Sequence, residues 1–467
     1  MENSLSGKEK FAYGIGAVGK DMVYMLSASY ILYYYQDIMG VSAVAMGIIL
    51  LAARVFDAFN DPIMGVLVAK TKTKWGKFRP WLLIGTLTNA VILFLMFAAP
   101  PSLTAGGLTA YAAITYILWG VTYTMMDIPY WSMIPAFTKA GKERENLSAM
   151  ARSCAGVGSA LIAIVTVMSV AALGSAFGSG PSDERVGFKI FSLIVAVLFI
   201  VFTVITCVTI KEKSNVEMQT ASVGDMFKAL IQNDQAMTVV IAIVMINTAL
   251  YTTQNLCIYF FKYDFSGPDK WSGDYTLFNT AGGAFQILAM MFIFALMRKF
   301  WSTIKICYIS FAAAFVGYII LLVISVTGAS SVYVLLVPAF LIMSCVGLLN
   351  VLVTVFLANT VDYGELKNNR RDESVIFSMQ TFVVKLASGL AAFIASLVIQ
   401  FANLSSDENA VVQIADISSR MKLRFSMTVI PVICLAIGVI VFKKYYKLDE
   451  EKLSDIQSQL KEKNAFD

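Results

Sequence analysis

The chain has 467 residues, 58% of them hydrophobic and only 14% charged, with 32 Phe and 23 Met. That composition excludes an ordinary water-soluble domain and points to a chain whose solvent is the lipid bilayer. Histidine is absent, which removes histidine-based triads, HExxH zinc sites and imidazole proton relays together.

The opening "MENSLSGKEK" has no small-residue cleavage site behind a short apolar core, so no removable signal peptide is read. Runs of about 20 mostly apolar residues, enough to span a bilayer core, fall near 11–36, 42–69, 80–99, 108–136, 150–173 and 188–210. A second set falls near 236–262, 275–297, 304–327, 332–360, 375–400 and 424–446, for twelve spans in all. The longest polar stretch within the array, "KEKSNVEMQTASVGDMFKALIQND", separates the two sets.

This pattern predicts an all-α membrane protein of twelve transmembrane helices in two bundles. An N-terminal six-helix bundle covers 1–210, a cytoplasmic middle linker 211–235, a C-terminal six-helix bundle 236–446 and a cytoplasmic tail 447–467. Six-plus-six is the major facilitator arrangement, in which the halves are parallel repeats and the substrate binds near the midplane. With both termini in the cytosol, the inside segments hold about 25 of the 36 Lys and Arg and the outside segments about seven. The net charge of +5 is largely this loop bias and gives no reason to invoke nucleic acid. In the tail, Leu453, Ile456 and Leu460 recur at helical spacing among charges, which predicts an amphipathic helix. All six cysteines fall inside predicted spans without CxxC spacing, so neither disulfides nor zinc are indicated.

In the first span, "GIGAVGKD" matches GxGxxG and nearly matches a phosphate-binding loop. Both readings fail, because the stretch opens an apolar helix instead of following a strand, and Asp21 stands where a P-loop needs Ser or Thr. Close helix packing is the better use of these glycines.

The spans carry eight ionisable residues away from their ends: Lys20, Asp21, Arg54, Asp57, Asp61, Asp127, Arg152 and Lys385. Ionisable groups at such depth are costly, and structural ion pairs are one explanation. Seven of the eight lie in the first half, however, which points to a site. In "ARVFDAFNDPIMG" Asp57 and Asp61 share one helical face, with Asn60 beside them and Arg54 one turn back. Two carboxylates about 6 Å apart at an effective dielectric near 20 repel by roughly 3 kcal/mol, which a bound cation turns into attraction. Oxygen ligands suit Na⁺ or Li⁺; a proton on one carboxylate is the alternative. Arg54 is also placed to neutralise one aspartate, and Pro62 to break the helix and free backbone carbonyls near Ala58.

The fourth span reads "YTMMDIPYWSMIP", putting Tyr123, Asp127 and Trp131 four apart on one side. A carboxylate flanked by aromatic faces suits a sugar: its oxygens accept hydroxyl hydrogens, an arginine fork donates, and a ring covers the apolar C–H patch of a pyranose. Lys20, Asp21 and Arg152 are placed to complete the polar set. No nucleophile and base pair is visible, so an enzyme is not expected.

Together, "FDAFNDPIMG", "TKWGKFRPWLLIGTLTN", "YILWGVTYTMMDIPYWSMIP", "NTVDYGELK" and "QTFVVK" resemble the glycoside-pentoside-hexuronide:cation symporters, closest to the melibiose permeases, from about residue 11 to the tail. The resemblance implies a major facilitator sugar:cation symporter of the inner or plasma membrane, acting as a single copy by alternating access. It implies a cation site at Asp57, Asn60, Asp61 and Thr124, with Na⁺, Li⁺ or H⁺ as coupling ion, Asp57 and Asp61 being the metal ligands if the ion is Na⁺ or Li⁺. It implies a sugar site at Lys20, Asp21, Tyr123, Asp127, Trp131 and Arg152, with Gln380, Thr381 and Lys385 from the second half, and a galactoside such as melibiose as cargo. Another glycoside, a glucuronide or a pentoside is the rival cargo, and a non-transporting sugar sensor the rival function. Two departures stand out: Asn350 replaces a tryptophan of melibiose permeases, and Asn359 replaces the aspartate that usually opens "DTVDYGE".

Overall fold

The structure, a computed structural model, describes residues 5–138, 142–179, 183–212, 223–267, 270–328, 331–368, 373–404 and 415–464. The chain divides into two compact units, Met1–Thr220 and Ala221–Leu404 with Val412–Asp467. The first holds α1 (Gly7–Tyr33), α2 (Ala43–Lys70), α3 (Arg79–Met96), α4 (Ala105–Ser132), α5 (Lys142–Phe177) and α6 (Glu184–Thr209). The second holds a short α7 (Val223–Gln232), then α8 (Asp234–Phe260), α9 (Trp271–Leu288), α10 (Thr303–Thr327), α11 (Val332–Asn368), α12 (Glu373–Phe401) and α13 (Ile417–Tyr445). The predicted tail helix forms as α14 (Glu450–Asn464), with Ile456 buried.

Helix starts follow from local chemistry. Ser6 and Glu9 make a reciprocal capping box on α1. Ser42, Thr104, Asp183, Asn233, Ser302 and Asp416 each accept a backbone N–H at the starts of α2, α4, α6, α8, α10 and α13. The start of α3 is capped from a distance: Glu212, just beyond α6, accepts the N–H groups of Lys77 (2.7 Å), Phe78 (3.0 Å) and Arg79 (3.1 Å). Gly76, at φ +108°, makes this approach possible, since a Cβ there would collide with the carboxylate.

Ten helices among the described residues are long and apolar enough to cross a membrane. Of the twelve spans expected, α1 and α4 are the two that fall short in apolarity, although they run to 27 and 28 residues. They are also the helices that carry Lys20, Asp21 and Asp127. Pro62 does not break α2, whose backbone stays helical from Ala43 to Lys70; the expected interruption is corrected here, one missing N–H being too small a loss to end a helix whose other bonds remain. α2 is amphipathic in the inverted sense: Phe56, Phe59 and Ile63 are exposed, while Arg54 and Asp57 are buried at 4% exposure each. In water that arrangement is costly, whereas in lipid it puts apolar atoms outward and polar atoms on the protein side.

The two units repeat one packing plan. In the first, α1 packs on α5 and α6, α3 on α4 and α6, and α2 on α4. In the second, α8 packs on α12 and α13, α10 on α11 and α13, and α9 on α11. The repeat extends to a detail. α1 ends in a π-helical turn, Tyr34–Ile38, and α8 in another, Phe261–Phe265, each with an aspartate at the same place, Asp37 and Asp264. Each turn is closed by a glycine of positive φ, Gly40 at 70° and Gly267 at 73°. The glycines of "GIGAVGKD" lie inside α1 against neighbouring helices, Gly14 on Cys154 and Gly19 on Phe202, as helix-packing glycines do.

Candidate functional site

Lys20 is the hub of the first unit's polar interior. Its Nζ donates to Asp21 Oδ1 at 2.9 Å and to the Tyr123 hydroxyl at 3.1 Å, and lies 2.7 Å from Asp127 Oδ1. It also stands over the rings of Tyr123 and Trp131, 5.5 and 5.2 Å from their centroids. One buried ammonium thus gathers carboxylates from two helices, a favourable use of charge only because its partners surround it. Arg152 of α5 is exposed, with its guanidinium 4.9 Å from the Trp131 centroid. The six sugar residues expected from the first half are therefore brought together, Trp131 lying between Lys20 and Arg152.

Two mutual hydrogen bonds fix α1 against α4 beside this cluster. Tyr13 donates its hydroxyl to the Tyr130 carbonyl (2.6 Å), Tyr130 donates to the Tyr13 carbonyl (2.5 Å), and their rings stack. Asn89 of α3 donates to the Trp119 carbonyl and the Thr122 hydroxyl at 2.9 Å, holding the other side of α4.

The residues expected to hold a cation meet α4 one turn earlier. Thr124 donates its hydroxyl to Asp61 Oδ1 at 2.9 Å. Asp57 Oδ1 lies against Gly120, where a Cβ would come within 2.6 Å of it, so only glycine admits the carboxylate at this position. Asn60 Nδ2 is buried without a hydrogen-bond partner. Arg54 NH1 donates to Asp57 Oδ2 at 3.1 Å and NH2 to the Tyr116 hydroxyl at 2.8 Å.

Gln380, Thr381 and Lys385 belong to α12 of the second unit, where Gln380 and Lys385 are half-buried and Thr381 is exposed. Sequence reasoning missed Ser159 of α5, which donates to Asp21 Oδ2 at 3.2 Å. It also missed the aromatic surroundings of Arg54, although the fourfold spacing of Tyr116, Gly120 and Thr124 marks them on one face. A third omission is Asp264, whose side chain has no exposure and accepts from Arg420 Nε (2.6 Å), Arg424 Nε (2.7 Å) and Arg424 NH2 (2.7 Å). These three lie at the edges of predicted spans; the recurrence of Asp-x-x-Gly at 37–40 and 264–267 is the signal that locates the aspartate.

Helices that face apolar atoms outward and gather charge inward in two repeated bundles define a helical membrane protein with a polar interior. Over residues 12–450 the sequence matches the family described as MFS/sugar transport protein, and the chain belongs to that family, the glycoside-pentoside-hexuronide:cation symporters. It is 27% identical to the inner membrane symporter YicJ of Escherichia coli, covering 98% of this chain and 95% of that one. It is equally 27% identical to the isoprimeverose transporter of Lactiplantibacillus pentosus, over 100% and 94% of the two chains. Among solved structures, a D-xylose–proton symporter shares the fold at a TM-score of 0.63 and 15% identity, over 94% of this chain and 98% of that one.

Proposed function

We propose that the protein carries a sugar across the cell's inner membrane by cation-coupled symport, with a galactoside such as melibiose as cargo and Na⁺ as coupling ion, Li⁺ and H⁺ being the alternatives. The observation that carries this reading is the use of α4 by both groups of residues. Thr124 joins Asp61 of α2, and Asp127, three residues on, joins Lys20. A cation held by Asp57, Asp61, Asn60 and Thr124 then acts on the same turn of helix that presents Asp127 to a sugar.

The chemistry of the residues supports the assignment of roles. Asp21 and Asp127 offer acceptors for sugar hydroxyls, Lys20, Tyr123 and Arg152 offer donors, and the Trp131 face suits the apolar side of a pyranose ring. Gln380, Thr381 and Lys385 are the second-half contribution. Coupling of this kind is reciprocal: an ion that raises sugar affinity tenfold, about 1.4 kcal/mol, has its own affinity raised equally by the sugar. The loaded carrier alternates between inward and outward openings as a single copy of the chain, with both termini cytosolic.

The relatives are named for different sugars, isoprimeverose, lactose and raffinose among them, which keeps other glycosides, glucuronides and pentosides in the test. Purified protein in proteoliposomes is offered a panel of radiolabelled sugars under Na⁺, Li⁺ and H⁺ gradients. Concentrative uptake of one sugar class under one gradient is expected. Uptake indifferent to all three ions makes the protein a uniporter, and saturable binding without flux makes it a sensor; either result overturns the proposal.

A further inference from the structure

The C-terminal end of α4 carries Asp127, Tyr130 and Trp131, and its local chemistry leaves it short of backbone donors. Pro129 lies inside the helix and has no N–H to give to the carbonyl of Met125. The helix stops at Ser132, so its last carbonyls need donors from elsewhere. The Pro129 carbonyl finds one in the N–H of Met133. The Tyr130 carbonyl is met by a side chain from another helix, the Tyr13 hydroxyl of α1 at 2.6 Å.

The reverse bond, from the Tyr130 hydroxyl to the Tyr13 carbonyl at 2.5 Å, closes a clasp whose rings stack 4.5 Å apart and 11° from parallel. Both side chains are buried, Tyr13 at 0% and Tyr130 at 2% exposure, where hydrogen bonds are stronger than in water. Phe137 leans on the Tyr13 ring at 5.3 Å. The end of α4 is thus tied to a point on α1 seven residues, about 10 Å, before Lys20. Trp131 is braced by the same clasp, its ring standing at 90° to that of Tyr130 with centroids 5.3 Å apart. Lys20 Nζ lies 5.2 Å and the Arg152 guanidinium 4.9 Å from the Trp131 centroid.

We infer that Tyr130, held by Tyr13, is a positioning residue for sugar recognition: it sets the angle at which Trp131 presents its face to a pyranose ring. The inference rests on the sugar site proposed above. Buried as they are, the two tyrosines act on the sugar through Trp131. A Tyr130 ring without its hydroxyl anchor turns more freely about its own side-chain bonds, and the indole that leans on it loses its fixed tilt between Lys20 and Arg152.

The test is calorimetric titration of the purified full chain with melibiose and with the sugars for which relatives are named, lactose, raffinose and isoprimeverose, the tightest binder being carried forward. Tyr130→Phe keeps the ring and deletes one hydroxyl, and Tyr13→Phe deletes the other. Each is expected to weaken sugar binding about fivefold, the scale of one hydrogen bond. Placed in a Trp131→Ala background, itself weaker than wild type, Tyr130→Phe should change affinity by less than about twofold, since a residue that acts through Trp131 then has nothing to position. The concentration of Na⁺, Li⁺ or H⁺ that half-saturates uptake at saturating sugar should match the wild type, a split that general loosening of α4, which also carries Thr124, does not produce. Wild-type sugar affinity in Tyr130→Phe, an equal loss with and without Trp131, or a parallel loss of cation affinity would each overturn the inference. Trp131→Ala at wild-type affinity, or a wild type that binds none of these sugars, instead overturns the sugar site beneath it, which separates the two failures.

Discussion

Replacing Lys20 with methionine keeps most of the side-chain volume and deletes the ammonium that holds Asp21 and Asp127. The two paired oxygens lie 2.9 and 2.7 Å from Nζ, so they stand no more than about 5.6 Å apart, where bare carboxylates repel by at least about 3 kcal/mol at an effective dielectric near 20. The variant must spread the carboxylates apart, and a sugar then meets acceptors that are no longer preset. A loss of this size corresponds to about a hundredfold weaker sugar binding. The assay is calorimetric titration of purified protein with sugar at saturating cation, beside thermal unfolding of the same sample. The double variant Lys20→Met with Asp127→Asn relieves the repulsion, so it should recover thermal stability while sugar binding stays weak. A dissociation constant within about threefold of wild type for Lys20→Met refutes the argument, because the carboxylates would then hold their geometry without the hub.

Asp61→Cys should abolish uptake driven by an ion gradient while sugar binding persists; concentrative uptake at the wild-type level removes Asp61 from the cation site. Asp264→Asn leaves Arg420 and Arg424 around a neutral group and should cost about 3–5 kcal/mol, seen as a marked fall in unfolding temperature; an unshifted transition means the pair contributes nothing. Glu212→Ala orphans three N–H groups at the start of α3 and should cost about 1–3 kcal/mol, with Glu212→Gln retaining part of the capping; equal stability of the two variants would contradict a role for the charge. Asp416, at the start of α13, is held below the ordinary carboxylate range by the Ser419 hydroxyl and by the N–H groups of Ser419 and Ser418. Because the folded value is depressed, the stabilisation is present above the unfolded value and is lost as pH falls through the folded one. Hydrogen-exchange protection of residues 417–420 should therefore drop in acid for the natural chain and show no such pH dependence in Asp416→Asn; matching profiles would dismiss the cap.

Much of this architecture is legible in the sequence because bilayer thickness imposes a length on every apolar run. The pairing of Tyr123 with Asp127 is legible too, since fourfold spacing puts both on one face of α4, and Lys20 and Asp21 are visible as charges inside an apolar span. The hub role of Lys20 is not, because Asp21 and Asp127 are equally plausible partners for Arg152 until helix packing is known. That Arg54 donates to the Tyr116 hydroxyl as well as to Asp57 is invisible for a similar reason: it depends on how α2 lies against Tyr116 and Gly120 of α4. The expected break at Pro62 shows the converse, a strong local signal overruled by a helix that continues on both sides.

The inverted amphipathicity of α2 has a consequence for how the chain is made. Arg54, Asp57 and Asp61 occupy the middle of one segment, and each such residue at a helix centre costs about 2.5 to 3.5 kcal/mol when the segment meets lipid alone. α1 and α4, which supply the compensating partners, are themselves the least apolar long helices. The partners of these charges thus sit on helices that partition poorly by themselves, so insertion of α2 is predicted to be more efficient when it stays beside the insertion machinery until α4 emerges from the ribosome to receive it.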